Sequence, residues 1–189
     1  MNIIQSPSPN FNERSGYSPE LLVVHCTDGF WPSDRDWLRN PVSQVSSHFV
    51  VSPAGEIHQL VPLDKAAWHG GRVDNPTANL KKNPDGTYVN PNKYSIGIEV
   101  SLRPPAHMPG PQKSALIELL REMGKQFNIP LDRAHIIGHK EIYSLKTCPG
   151  TIDVNALVAE LNQTPTQPPA ANDNAALKAQ IIDLVNKIK

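Results

Sequence analysis

Apolar positions along this chain follow two rhythms and, in places, none. Leu21-Leu22-Val23-Val24 is an unbroken apolar run that leads into His25-Cys26-Thr27. A short run of this kind, rich in branched side chains, predicts a fully buried strand over 21–27. Two further runs, 48–52 and 56–61, flank Pro53-Ala54-Gly55 and predict a hairpin. In its second arm Ile57, Gln59 and Val61 are expected on one face and His58 and Leu60 on the other, because strand side chains alternate. Residues 94–101 predict another strand, with Glu99 near its end. From 112 to 127 the rhythm changes. Leu116, Leu119, Leu120, Met123 and Phe127 recur at helical spacing, which predicts an amphipathic helix packed on the sheet. Asn128-Ile129-Pro130 ends it, since the residue before a proline disfavours helical angles. A shorter helix is predicted over 153–161, with Leu157 and Leu161 on one face.

The stretch from Gly70 to Lys93 has little periodicity and holds Asn75-Pro76, Asn83-Pro84-Asp85-Gly86 and Asn90-Pro91. A loop of that length either borders a binding groove or is a solvated insertion. After Leu161 the composition shifts to Pro-rich sequence, and beyond it Leu177, Ile181, Leu184 and Ile188 form a short 4-3-4 stripe. Three units are therefore expected: a domain over 1–162, a Pro-rich linker over 163–174 and an amphipathic helix over 175–189. Two heptads are too short for a stable isolated helix. The stripe docks on the domain, pairs with another copy or is the stub of a longer helix, and the oligomeric state stays open.

Composition narrows the function classes. In 189 residues, 18 basic and 18 acidic side chains give zero formal net charge, so nothing electrostatic favours nucleic acid or an anionic membrane. No apolar stretch approaches the length of a membrane span. The first residues lack the basic and apolar regions of a Sec signal, so synthesis in the cytoplasm without that signal is expected. The two cysteines, Cys26 and Cys148, are expected reduced.

The chemistry-bearing runs are strand–His25, Ser47-His48-Phe49-Val50-Val51, Trp68-His69-Gly70-Gly71, Asn92-x-x-Ser95-Ile96-Gly97-Ile98-Glu99, and Gly138-His139 followed by Lys146-x-Cys148-Pro149-Gly150. Singly each is ambiguous: His25 is either a satisfied core histidine or a ligand, and Cys148 either a buried thiol or a ligand. Taken as a set, two imidazoles and a thiolate suit Zn²⁺, and three protein ligands leave a fourth position open for water, as catalytic zinc sites do.

In order and content, the five runs resemble the zinc-dependent N-acetylmuramoyl-L-alanine amidases of type 2, which share a fold with the peptidoglycan recognition proteins. The resemblance covers roughly residues 20–160. It implies an α/β fold, a mixed central β-sheet flanked by helices with the zinc in a cleft on one side. It implies an enzyme that hydrolyses the amide between N-acetylmuramic acid and L-alanine, with peptidoglycan or muropeptides as partner and Zn²⁺ as cofactor. His25, His139 and Cys148 are the implied metal ligands and Glu99 the implied base. Another branch of the family carries a tyrosine before the histidine of the His-Phe run, where this chain has Ser47, and that departure adds weight to Glu99. Lys146 is implied beside the metal, steadying a developing oxyanion. Trp68, His69 and Gly70 are implied in the substrate cleft. His58, His107 and His135 receive no role. A non-catalytic peptidoglycan-binding module is the alternative; such proteins typically lack the third ligand. Other zinc hydrolases are disfavoured by the absence of His-Glu-x-x-His and Pro-Cys-x-x-Cys. Action on the wall after release, as by a phage endolysin, and action on cytoplasmic muropeptides both stay open.

Overall fold

The computed structural model describes residues 1–163. The expected linker and C-terminal helix lie, from residue 164 onward, outside the described residues. In chain order the elements are β1 (Ile3–Gln5), β2 (Phe11–Glu13), β3 (Leu21–Cys26), α1 (Ser33–Arg39), β4 (Phe49–Val51), β5 (Ile57–Gln59), β6 (Lys65–Ala67), β7 (Ser95–Val100), α2 (Gly110–Phe127), β8 (Ile136–Gly138) and α3 (Val154–Leu161). Six strands form one mixed sheet in the order β1-β5-β4-β7-β3-β8, and β2 pairs with β6 in a small second sheet. Only the β4–β5 hairpin is antiparallel in the large sheet; β4, β7, β3 and β8 run parallel. Among the described residues no helix is long and apolar enough to cross a membrane.

Alternation along the central strands sorts the core into two sides. Leu22, Val24, Phe49, Val51, Ile96, Ile98 and Val100 meet Leu116, Leu119, Leu120 and Met123 of α2 and Leu157 and Leu161 of α3. Each such fully buried side chain contributes about 1.5–3 kcal/mol, so this side supplies most of the core. The helix α2 starts two residues before the predicted 112, with Pro111 in its first turn, where a missing N–H costs nothing. It stops as predicted at Asn128, which turns left-handed (φ 54°) while its N–H bonds Gly124 O. Asp153 caps α3 by accepting from Asn155 and Ala156 N–H at 2.8 and 3.1 Å.

No long helix covers the opposite side. Leu38 of the short α1 packs there with Val50, Leu60, Val61 and Ala67. Farther along, Leu80 and Val89 from the irregular 70–93 stretch pack with Leu21, Val23, Tyr94, Ile137 and Ile142. That stretch lines no part of the groove described below. It is largely exposed, and Leu80 and Val89 anchor it to this sheet face. One expectation fails in the hairpin: the strand ends at Gln59, and Leu60 and Val61 enter the same cluster instead of opposite faces. Their N–H groups both point at His48 O, at 2.8 and 3.5 Å, which breaks the alternation.

Arg14 ties the N-terminal arm to this side. It is 5 % exposed and donates to the carbonyls of Leu63 (2.8 Å), Lys93 (2.9 Å) and Ser95 (3.1 Å). Burial lowers its pKa to about 10, so it stays charged at neutral pH. Replacing it by methionine keeps the apolar stem but strands these acceptors. Arg14→Met is expected to destabilise the fold by about 3 kcal/mol or more, read from urea unfolding; a loss below about 1 kcal/mol contradicts this account.

Candidate active site

The site is assembled at the C-terminal ends of three parallel strands. Parallel pairing sets Val23 beside Gly97 and His25 beside Glu99, and on the other edge of β3 sets Val24 beside Gly138. His25 therefore closes β3 on the same face as Glu99, and His139 follows directly from the end of β8. The chain then turns through Tyr143 and Lys146 and brings Cys148 back to β3, where the Cys26 N–H points at Cys148 Sγ at 3.3 Å. One donor atom from each of His25, His139 and Cys148 lies within 4.8 Å of the other two. Both cysteines are free thiols.

Around this cluster the groups have different duties. Glu99 Oε1 is 3.9 Å from His25 Nδ1, and Glu99 Oε2 is buried with no hydrogen-bond partner among the described residues. Burial, then the neighbouring Cys26 and Asp34, raise the Glu99 pKa to about 8, with Lys146 opposing. A hydrogen bond with the Cys26 thiol, burial and nearby Glu99 hold the Cys148 thiol above its usual range; a bound cation reverses that balance. Burial, then the positive Lys146, lower the His139 pKa to about 4. Burial also holds His25 well below its usual value, with His139 and Lys146 adding to the effect. Both are therefore neutral at pH 7, the state in which imidazole binds a metal.

The cluster forms the floor of a groove of about 690 Å³, with Lys146 and Thr147 at its edge. One wall is apolar: Phe30, Trp37, Leu38, Val45 and Trp68. Phe30 and Trp37 are 64 % and 55 % exposed, more than isolated aromatic side chains need to be. Trp68 Nε1 donates to Asn12 Oδ1 at 2.5 Å, which fixes its ring in the wall. Trp68 was expected here; Phe30, Trp37, Leu38 and Val45 were missed because α1 is only seven residues long, and their one signal was aromatic residues set among Ser33, Asp34, Arg35 and Asp36. Asp34 braces the wall, accepting from Thr27 Oγ1 (2.7 Å) and Ser101 Oγ (2.5 Å).

Of the three residues expected in the substrate cleft, Trp68 and His69 line the groove and Gly70 does not. His69 is 8 % exposed, and both ring nitrogens are engaged inside the protein, Nδ1 with His25 Nε2 and Nε2 with Ser95 Oγ, each at 3.1 Å. No nitrogen is left to offer a substrate. Gly70 is buried outside the groove lining, and a side chain there would press on Ile142 at 3.3 Å. Its smallness serves packing.

A sequence profile described as N-acetylmuramoyl-L-alanine amidase (Amidase_2) matches residues 15–151. The chain belongs to this family. Among curated relatives, the N-acetylmuramoyl-L-alanine amidase CwlH of Bacillus subtilis (strain 168) is 28% identical over 189 residues, covering 95% of this chain and 68% of its own length. XlyA of the same strain is 31% identical over 157 residues, 79% of this chain but only 46% of the relative, so the chain spans under half of XlyA. Among solved structures, a selenomethionine derivative of AmpD superposes with a TM-score of 0.66 at 25% identity, covering 85% of this chain and 94% of that one. The catalytic domain of XlyA superposes at 0.63 and 27% identity, covering 86% and 100%. The family and the mixed-sheet fold expected from the five sequence runs are both met.

The amidase fold buries imidazoles in their neutral form, and this has a consequence in acid. His48, pressed by burial and the Arg14 guanidinium, has its pKa lowered to about 3, and His69 is likewise held well below 6.5. With His25 and His139, four imidazoles take up protons near pH 6.5 once unfolded but not while folded. Each adds a slope of up to about 1.4 kcal/mol per pH unit in favour of unfolding as pH falls below about 6.5. Glu99 opposes with one proton, since its folded pKa is raised and its stabilising effect is lost on going up from about 4.5 to 8. Four outweigh one. The urea midpoint of the metal-stripped protein is expected to drop steeply between pH 6.5 and 4.5; a flat profile contradicts the burial of neutral imidazoles.

Proposed function

We propose that this chain is a zinc amidase that hydrolyses the bond between the lactyl carbonyl of N-acetylmuramic acid and the L-alanine of the stem peptide. His25, His139 and Cys148 hold the metal, Glu99 moves the proton, and Lys146 steadies the oxyanion. The observation that carries this reading is the convergence of three donor atoms within 4.8 Å at the floor of a groove, beside a carboxylate whose second oxygen has no partner among the described residues. The donor set fits zinc: two neutral imidazoles and a thiol, with room for a fourth ligand on the groove side.

His25, His139 and Cys148 would hold a Zn²⁺ ion, which when bound would supply a water of pKa about 7 and Lewis acidity toward the scissile carbonyl. Glu99 is suited to the proton transfer. A carboxylate with a pKa tuned near the working pH both accepts a proton and gives it back, and Glu99 reaches that range through burial. It takes the proton of the attacking water and delivers it to the leaving alanine nitrogen. The exposed Lys146 lines the groove, and a cation there would favour negative charge developing on the carbonyl oxygen. Trp68, with Phe30 and Trp37, offers flat apolar surface to the sugar face and to the methyl groups of the lactyl and alanyl units.

A wall-lytic setting draws on XlyA and on a mutant endolysin from Bacillus subtilis, 27% identical in sequence. The test is mass spectrometry of soluble products from purified peptidoglycan, run beside soluble muropeptides. Stem peptides starting with free L-alanine are expected, lost with a chelator and restored by Zn²⁺. Binding without release on either substrate overturns the catalytic reading and leaves a recognition module. Glu99→Gln is expected to keep a full zinc content, measured by elemental analysis, while kcat falls about 10²- to 10⁴-fold; unchanged kcat removes Glu99 from the mechanism.

A further inference from the structure

We propose that His69 is a positioning residue: through a one-way hydrogen-bond relay it fixes the tautomer of His25, so that Nδ1 faces the metal cluster as a bare lone pair. The inference rests on the reading that His25 is a metal ligand.

The relay begins at a group that can only accept. Ser95 Oγ lies 2.7 Å from Pro91 O and 3.1 Å from His69 Nε2. A hydroxyl has one proton, and a carbonyl has none to give. Ser95 therefore donates to Pro91 O and accepts from His69 Nε2–H. A neutral imidazole carries one N–H, so His69 Nδ1 is then an acceptor. Among the described residues it meets only His25 Nε2, at 3.1 Å, and His25 must donate there. Its remaining nitrogen, Nδ1, is left unprotonated and lies 3.9 Å from Glu99 Oε1; with Nε2 committed to His69, it is the atom His25 has to offer the cluster. Reversing the relay sets Ser95 Oγ and Pro91 O face to face without a proton and turns an N–H of His25 toward the metal position. Both changes are unfavourable in a dry interior.

Residues beside Trp68 and Glu99 that the reaction itself does not use are the hardware of this relay. Asn92 Oδ1 accepts from Gly70 N–H at 2.8 Å and from His69 N–H at 3.3 Å, clamping the backbone that carries the ring. Ser46 holds the preceding residue from the other side, its Oγ accepting from Trp68 N–H at 2.9 Å. Gly97 supplies the space: a Cβ there would lie 2.4 Å from His69 Cγ. So Asn92-x-x-Ser95-x-Gly97 fixes the backbone, the ring nitrogen and the ring volume of one residue, and Glu99 follows on the same face two positions later.

Outer partners of ligating histidines are worth about ten- to a hundredfold in metal affinity. Zinc affinity by competition with a chromophoric chelator is therefore expected to fall by about that factor in His69→Leu. It is expected to stay near wild type in His69→Asn, whose amide oxygen replaces Nδ1 as the acceptor. The Co²⁺ form reports the same order through its visible absorption. Long-range ¹H–¹⁵N NMR of the metal-free wild type needs no variant and is expected to show His25 protonated on Nε2 alone. His25 protonated on Nδ1, or His69→Leu binding zinc as tightly as wild type, overturns the relay. A wild type that takes up no zinc overturns the metal reading and this proposal with it, whereas zinc lost in His25→Ala but unchanged in His69→Leu overturns the relay alone.

Discussion

Parallel ladder bonds between β3 and β7 bring Val23 beside Gly97 and His25 beside Glu99, on a sheet face that no long helix covers. A slip of one residue would send the imidazole and the carboxylate to opposite faces. Register is held by the helix side, where Leu22, Val24, Ile96 and Ile98 are fully buried under α2 and α3. The apolar half of each strand thus fixes where its polar half points. Chemistry on one face is positioned by packing on the other.

That exposes the central tension of the site. Imidazoles stacked in a dry interior are tolerated only when neutral and fully partnered. His48 meets the condition with the Gly97 N–H at 3.0 Å and Lys65 O at 3.0 Å. His69 meets it with His25 and Ser95. His25 has only Nε2 so engaged among the described residues, and this asymmetry sets it apart from the two fully partnered histidines.

Much of the fold was legible because its long elements carry long patterns. The run 21–26, the strand ending near Glu99 and the helix through Met123 are 6, 6 and 18 residues long, and the short arms of the hairpin were marked by the Pro53-Ala54-Gly55 turn between them. β1, β2, β6 and β8 are three residues each, too short to carry a pattern of their own. They exist because a neighbouring strand offers an unsatisfied edge, which is a tertiary fact. The 70–93 stretch reads as a loop and is one, yet Leu80 and Val89 sink into the sheet with no rhythm to announce them. The nearness of His25, His139 and Cys148 was legible only through the order of motifs, since their separations of 114 and 9 residues imply nothing about distance. The duty of His69 was not legible at all. It depends on a proton direction set by Pro91 O, and a backbone carbonyl has no signature in the sequence.

The apolar wall has a different dependence on the fold from the floor. His25, Glu99 and His139 stand on or directly after sheet strands, whereas Phe30, Trp37 and Val45 belong to a segment between β3 and β4. That segment is pinned mainly through Asp34, through Leu38, and through Asn10, whose side chain donates to Asn40 O and Val45 O. Its remaining positions answer to solvent. Exchanges at the exposed positions Phe30, Trp37 and Val45 would therefore reshape the wall while the strand register beneath the floor stays as it is. The surface that meets a ligand and the frame that holds the cluster are separable parts of one groove.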